Sequence, residues 1–242
     1  MITGKHLLEL RKYPNSLYFY LKVEFLFHSN KMEGSTFTEE QLGLLLDKRI
    51  VVGEHELEDV KETANSLELF ELMVNTLEEP ITDDLLLKFH NTLKKGTKDE
   101  EAGLSGTWKI YDNRILGVPV KLTPPTLVRE RIKDLLYRWE LSNKYLPDIA
   151  EFHVEFEQIH PFQDGNGRIG RFIMLKQCLE NGIIPIVVDT EYVMEYRQEL
   201  GNAQISGDRT GFIKVLEKCQ LRFMQKEIVL NTLQSLKDRG LF

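Results

Sequence analysis

Apolar residues recur along most of this chain at the three-to-four-residue spacing of helices, not at the alternation of strands. Ile149, Phe152, Phe156 and Ile159 share a face of a helix predicted over 147–159. Phe172, Leu175 and Leu179 do the same over 168–180, where Asn181-Gly182 supplies left-handed residues to close the helix. The stretch 17–32 is apolar on nearly every side, and a helix of that kind has to be enclosed by others. A short helix over 4–11, stopped by Pro14-Asn15-Ser16, precedes it. A Thr36–Glu39 capping box predicts a helix through Leu46, and Ile50-Val51-Val52-Gly53 reads as a linker to a helix from Glu54 to Leu77. Glu79-Pro80 ends that element, and Thr82-Asp83-Asp84 caps another to about Leu93. Pro124-Pro125 opens a helix through Tyr145, with Leu127, Ile132, Leu135 and Trp139 as its buried stripe. Helical patterns return over Glu191–Leu200 and from Thr210 to Leu241.

Two stretches break the pattern. Gly103–Gly117 places β-branched and aromatic residues around Asp112-Asn113, which predicts a small β-hairpin. Ile183–Val188 is a short apolar extended run. The fold expected is all-α with one small hairpin.

Composition then narrows the function. The 242 residues are 42% hydrophobic, enough for one sizeable core, and the net charge of −7 argues against nucleic acid or an anionic membrane as the main partner. Cys178 and Cys219 fall in helical apolar patterns without disulfide or zinc spacing and read as buried thiols. His28, His55, His90 and His153 have no metal-ligand companions in sequence and read as structural or surface residues. Glu54, Glu56, Glu58 and Asp59 read as a solvated face. No uncharged run approaches the ~20 residues of a membrane span, and there is no signal-peptide layout, so a cytoplasmic protein is expected.

Candidate chemistry concentrates in the bend between the helices at 147–159 and 168–180, His160-Pro161-Phe162-Gln163-Asp164-Gly165-Asn166-Gly167-Arg168-Ile169-Gly170-Arg171. Gly165-Asn166-Gly167 lacks bulk at two positions and opens into a helix, so successive amides can face one anion at the positive helix end. Arg168 and Arg171, three apart, leave the same face of the first turn. Asp164 is a hard oxygen ligand suited to Mg²⁺ bridging two phosphates. His160, with an ordinary pKa of about 6.5, can accept a proton at neutral pH. Taken singly these are common features of turns and surfaces; their order within twelve residues points to phosphoryl chemistry.

The stretch resembles the signature of the Fic (Fido-domain) family, H-P-F-x-D/E-G-N-G-R-x-x-R, and matches every specified position. The resemblance implies an all-α Fic fold with a β-hairpin flap. It also implies Mg²⁺-dependent transfer of AMP from ATP to a Ser, Thr or Tyr hydroxyl of a target protein docked on that flap. His160 would be the general base, Asp164 the Mg²⁺ ligand and Gly165, Asn166 and Gly167 the anion hole. Arg168 and Arg171 would be phosphate clamps, with Ile169 and Gly170 between them. Ile115, Leu116, Gly117 and Val118 would cover the nucleotide, and Tyr196, Arg197 and Gln204 are the candidates for holding adenine. Lys109 stands where relatives usually carry arginine.

Ser29, Glu33 and Gly34 fill the family's inhibitory motif S/T-x-x-x-E-G/N. A glutamate at a helix C-terminus opposes the dipole, so something beyond local helix stability should hold it there. The resemblance implies that Glu33 pairs with Arg171, takes the γ-phosphate position and represses the enzyme, and in some relatives it also serves removal of AMP. The regions implied are an N-terminal helical part over 1–80 with the inhibitory helix at about 17–33, a catalytic domain over 81–220 and a C-terminal helix over 221–242. An apolar helix face could also pair two copies into a homodimer. Rival readings are a nucleotide-sensing interaction module without turnover and a relative that transfers another phosphate-containing group.

Overall fold

A computed structural model describes residues 3–114 and 120–238. Among the described residues every regular element is a helix. In order they are α1 (Gly4–Leu10), α2 (Leu17–Met32), α3 (Glu39–Lys48), α4 (Leu57–Asn75), α5 (Asp83–Lys94) and α6 (Lys98–Glu101). A 3₁₀ turn at Pro125–Leu127 leads into α7 (Val128–Leu141), followed by α8 (Leu146–Ile159), α9 (Asn166–Glu180), α10 (Val193–Ser206), α11 (Thr210–Met224) and α12 (Glu227–Asp238).

The core is built around the two helices without a polar face. In α9, Ile169, Phe172, Ile173, Met174, Leu175 and Leu179 are all buried, so it runs through the middle of the molecule. Across from it, Phe25 of α2 meets Phe172 edge-on at 4.9 Å, and α4 supplies Phe70 to Tyr18 and Phe25. Lys176 of α9 is also buried, and its ammonium donates to the carbonyls of Thr76 and Glu79 and pairs with Glu180. A cation at the carbonyl end of α4 suits the helix dipole and ties α9 to it. This packing brings the last turn of α2 against the first turn of α9, where α8 also ends.

Several expected boundaries shift for local reasons. Thr36 does not cap α3. Its amide and hydroxyl both donate to Asp59 at 2.7 Å, and the box is formed by Thr38 with Gln41. Asp59 is therefore part of a loop clasp, and Glu58 accepts from the Lys98 amide, so these two acids are not merely solvated. Helix α4 starts three residues later than Glu54 because His55 is spent on the loop, stacked at 3.9 Å on Phe37 and bonded to Thr36. Helix α7 ends at Leu141, and α10 runs on to Ser206, closed by Gly207 at φ 80°. The C-terminal pattern divides into α11 and α12.

The hairpin is not seen among the described residues: 103–114 form turns and coil. Two of their amides bind the bend between α8 and α9, with Lys109 N–H donating to Pro161 O at 2.8 Å and Tyr111 N–H to Gln163 Oε1 at 3.2 Å. Ile115 to Val118, expected over the nucleotide, lie outside the described residues. Cys178 and Cys219 are free and buried as expected. No helix among the described residues is long and apolar enough to cross a membrane.

Candidate active site

Two left-handed residues make the bend. His160 ends α8 at φ 50°, and Gly165 at φ 80° caps the start of α9. Between them Phe162 is wholly buried, with its ring parallel to His90 at 4.0 Å and stacked on Trp108 at 5.4 Å. Asn166 stitches the bend from inside: its Oδ1 accepts from Phe162 N–H at 2.8 Å and its Nδ2 donates to Phe162 O at 2.9 Å. Its side chain is thus spent on structure, and only the main chain of 165–167 is available to an anion. The first amides of α9 have no intrahelical acceptors and point out of the helix end.

His90, read from sequence as structural or surface, is a strut for this bend. Gly106 N–H donates to its Nδ1 at 3.0 Å, leaving Nε2 to donate to Asp164 O at 3.1 Å. Burial pushes it down to about 3, so it stays neutral.

His160 presents Nδ1 to the Glu157 carbonyl at 3.3 Å and to the Glu157 carboxylate at 3.9 Å. A proton on Nδ1 leaves Nε2 unprotonated and able to take another. Burial, reinforced by the Lys109 ammonium, pushes His160 down to about 4, so the ring is neutral at pH 7. Lys109 is itself pushed down to about 8 by burial and bridges Asn113 Oδ1 and Ile159 O. Glu157 escaped the sequence reading. It is 5% exposed, its Oε1 has no partner, and burial pushes it up to about 7 although Arg171 is near. Gly170 makes room for it, since a Cβ there would lie 2.5 Å from Glu157 Oε1.

Arg171, 4% exposed, is held by the end of α2. Its Nε donates to Ser29 Oγ at 2.9 Å, and one terminal nitrogen donates to Ser29 O at 3.0 Å and to Glu33 Oε1 at 2.6 Å. The guanidinium keeps the Glu33 carboxyl below its usual range against the opposing effect of burial. Gly167 permits the approach: a Cβ there would sit 2.5 Å from Glu33 Oε1. Gly34 follows at φ 93° and turns the chain away. The expected Ser29–Glu33–Arg171 arrangement is present as a geometry, with a carboxylate lying against the helix start that could receive a phosphate.

Asp164 and Arg168 are engaged from another side. Arg168 donates to Glu62 at 2.5 Å and to Asp164 at 3.4 Å, while its Nε is buried without a partner. Asp164 is bonded to Lys94 of α5, and burial is outweighed there by the Lys94 and Arg168 charges, which hold it at about 2. One oxygen each of Glu62, Asp99 and Asp164 lies within 4.8 Å of the others. The Asp164 side chain is 60% exposed, so a hard, ionised oxygen donor faces solvent, and the residues present fit a Mg²⁺ ion there. Glu62 and Lys94 were not singled out from sequence. The available signal was His90 and Lys94, four apart on the buried stripe of α5.

Of the remaining candidates, Ile169 is pure core. Tyr196 is placed otherwise than the resemblance implies: 2% exposed, it bonds His153 Nε2 at 2.5 Å and packs on Phe212, so its ring cannot stack on a base in this conformation. Arg197 is spent on α2, donating to Met32 O at 2.5 Å beside Glu33. Gln204 is buried with its Nε2 unpaired.

Residues 80–178 match the family model described as Fic/DOC family. A protein adenylyltransferase of Caenorhabditis elegans, fic-1, is 25% identical over 233 residues, covering 93% of this chain and 44% of the relative. A probable protein adenylyltransferase of Aquifex aeolicus is 32% identical over 115 residues, covering 46% of this chain and 34% of the relative. The chain thus spans less than half the length of these two curated relatives. A crystal structure of a Fic domain containing signaling protein from Bacteroides thetaiotaomicron superposes with a TM-score of 0.78 at 23% identity, covering 91% of this chain and 94% of that one. A complete signature on the bend between α8 and α9, the family model matched over residues 80–178 and the shared all-α fold make this region similar to the Fic/DOC family.

Proposed function

We propose that the chain is a protein adenylyltransferase that moves AMP from ATP to a hydroxyl side chain of another protein and is held inactive by Glu33. The observation that carries this reading is the Glu33–Arg171 pair at 2.6 Å, an anion lodged at the mouth of an otherwise complete phosphate site. The curated relatives named above as adenylyltransferases support the choice of AMP over other groups.

In this reading ATP lies across the start of α9, with its α-phosphate at the amides of 165–167 and its outer phosphates on Arg168 and Arg171. His160 Nε2 takes the proton of the acceptor hydroxyl as that oxygen attacks the α-phosphorus in line, and pyrophosphate leaves. Asp164 would hold Mg²⁺, which would supply positive charge against the phosphates. With Glu33 on Arg171, the γ-phosphate is denied its partner and the α-phosphate is misaligned. A closed state favoured by a few kcal/mol lowers basal turnover by roughly 10²-fold. Residues 81–220 are the catalytic region, and the last turn of α2 is its inhibitor.

Incubation with α-labelled ATP tests both parts. Label should rise on a target, or on the chain itself, in Glu33→Gly and vanish in Glu33→Gly/His160→Ala. Equal labelling of wild type and Glu33→Gly sinks the autoinhibition. Label carried from γ-labelled ATP in place of the α-labelled nucleotide sinks AMP transfer.

A further inference from the structure

The ammonium of Lys94 sits among three carboxylates. It donates to Glu62 at 2.5 Å, pairs with Asp99 at 2.7 Å and bonds Asp164, so each of its three N–H donors can serve one acid. Its side chain is 1% exposed. The converging carboxylate oxygens have the spread expected around a single cation, and a tethered cation of the chain's own already stands there. The three acids are not equivalent. Side chains of Glu62 and Asp99 are 21% and 28% exposed, whereas that of Asp164 is 60% exposed and has a solvent side to turn towards. If Asp164 turned outward, Lys94 would keep Glu62 and Asp99, and Arg168 would keep Glu62. Release therefore leaves no buried charge alone, which is the usual obstacle to breaking such a pair.

We propose that Lys94 is a positioning residue that competes with a divalent cation for Asp164, holding the carboxylate inward until metal draws it out. This rests on the reading of Asp164 as the metal ligand. It adds a restraint on the site distinct from Glu33, beside Gly165 where Glu33 lies beside Gly167, and acting on the metal instead of the γ-phosphate. It also gives a chemical reason for a lysine on the buried stripe of α5, where an apolar residue would pack without three acids to neutralise it.

Titration of the full chain with Mn²⁺ alone, read by the electron paramagnetic resonance signal of the free ion, tests it without any target protein. Lys94→Met should bind Mn²⁺ at least tenfold more tightly than wild type. Lys95→Met, which removes a 65%-exposed charge one residue away, should change affinity less than twofold. Equal effects of the two variants would reduce Lys94 to background electrostatics and overturn the proposal. Asp164→Asn added to Lys94→Met should abolish the gain; retention of the gain would instead remove Asp164 as the ligand and with it that part of the proposed function. Should Lys94→Met fail to fold, Lys94→Gln reads the same competition. This neutral variant keeps N–H donors for the acids, so Mn²⁺ binding should tighten at least threefold, and an unchanged affinity overturns the idea.

Discussion

Glu157 and His160 share one buried corner, and burial drives both toward neutrality. For Glu157 the folded state retains a proton up to about pH 7 that the unfolded chain gives up near its ordinary carboxyl value. Stability contributed by that proton is full in acid and is lost as pH rises through this window, by roughly 3 kcal/mol at most. Glu157→Gln should therefore gain on wild type as pH goes from 5 to 8, measured by denaturant melts at each pH. A difference that stays constant with pH would show that the acid is ionised throughout. For His160 the prediction concerns rate: labelling by Glu33→Gly should persist well below pH 6, because the imidazole remains unprotonated to about pH 4. At this scale the sequence was informative where the chemistry is local. Its twelve-residue bend singles out His160, Asp164 and both arginines as candidates, and the fold brings all four to the junction of α8 and α9. Lys94 and Glu62 were invisible because their partners lie 70 and 106 positions away, and Glu157 because a lone acid four positions after His153 looks like surface.

Helix α2 is a core element for most of its length, and only its last turn reaches Arg171, where the proposed inhibition acts. Leu21, Phe25 and Leu26 are buried, whereas Glu33 is one-third exposed at its side chain. Ser29→Ala removes the hydroxyl acceptor of Arg171 Nε but leaves the helix packed, and a hydrogen bond to a charged group is worth about 1.5–3 kcal/mol. Basal labelling should rise by about tenfold, short of the Glu33→Gly level; no rise would assign the hold to Glu33 alone. The periodic helices were legible because burial imposes a repeat on the sequence. The expected hairpin has its return arm at 115–118, outside the described residues, while the amides of Lys109 and Tyr111 on its first arm dock on 161–163.

At the scale of the molecule, the proposed inhibitory helix cannot leave as a unit, since undocking α2 would expose the core that α9 shares with it. Opening must be confined to the turn around 29–34. Removing residues 1–33 should therefore give an unfolded chain by circular dichroism, while Glu33→Gly keeps its cooperative melt. Nucleotide should act in the complementary way. A ligand at 100 times its dissociation constant adds about 2.7 kcal/mol to stability, so ATP with Mg²⁺ should raise the melting temperature of Glu33→Gly more than that of wild type. Equal shifts would mean that Glu33 does not obstruct the phosphate site.

The conformation of His160 has a last consequence. At φ 50° it occupies the seat where helices commonly place glycine, and any residue with a Cβ is disfavoured there by about 1 kcal/mol. His160→Gly should thus outlast His160→Ala on heating, both of them silent in labelling. A search for heat-resistant versions of this protein, run without an activity screen, would drift toward losing the side chain proposed to start its reaction.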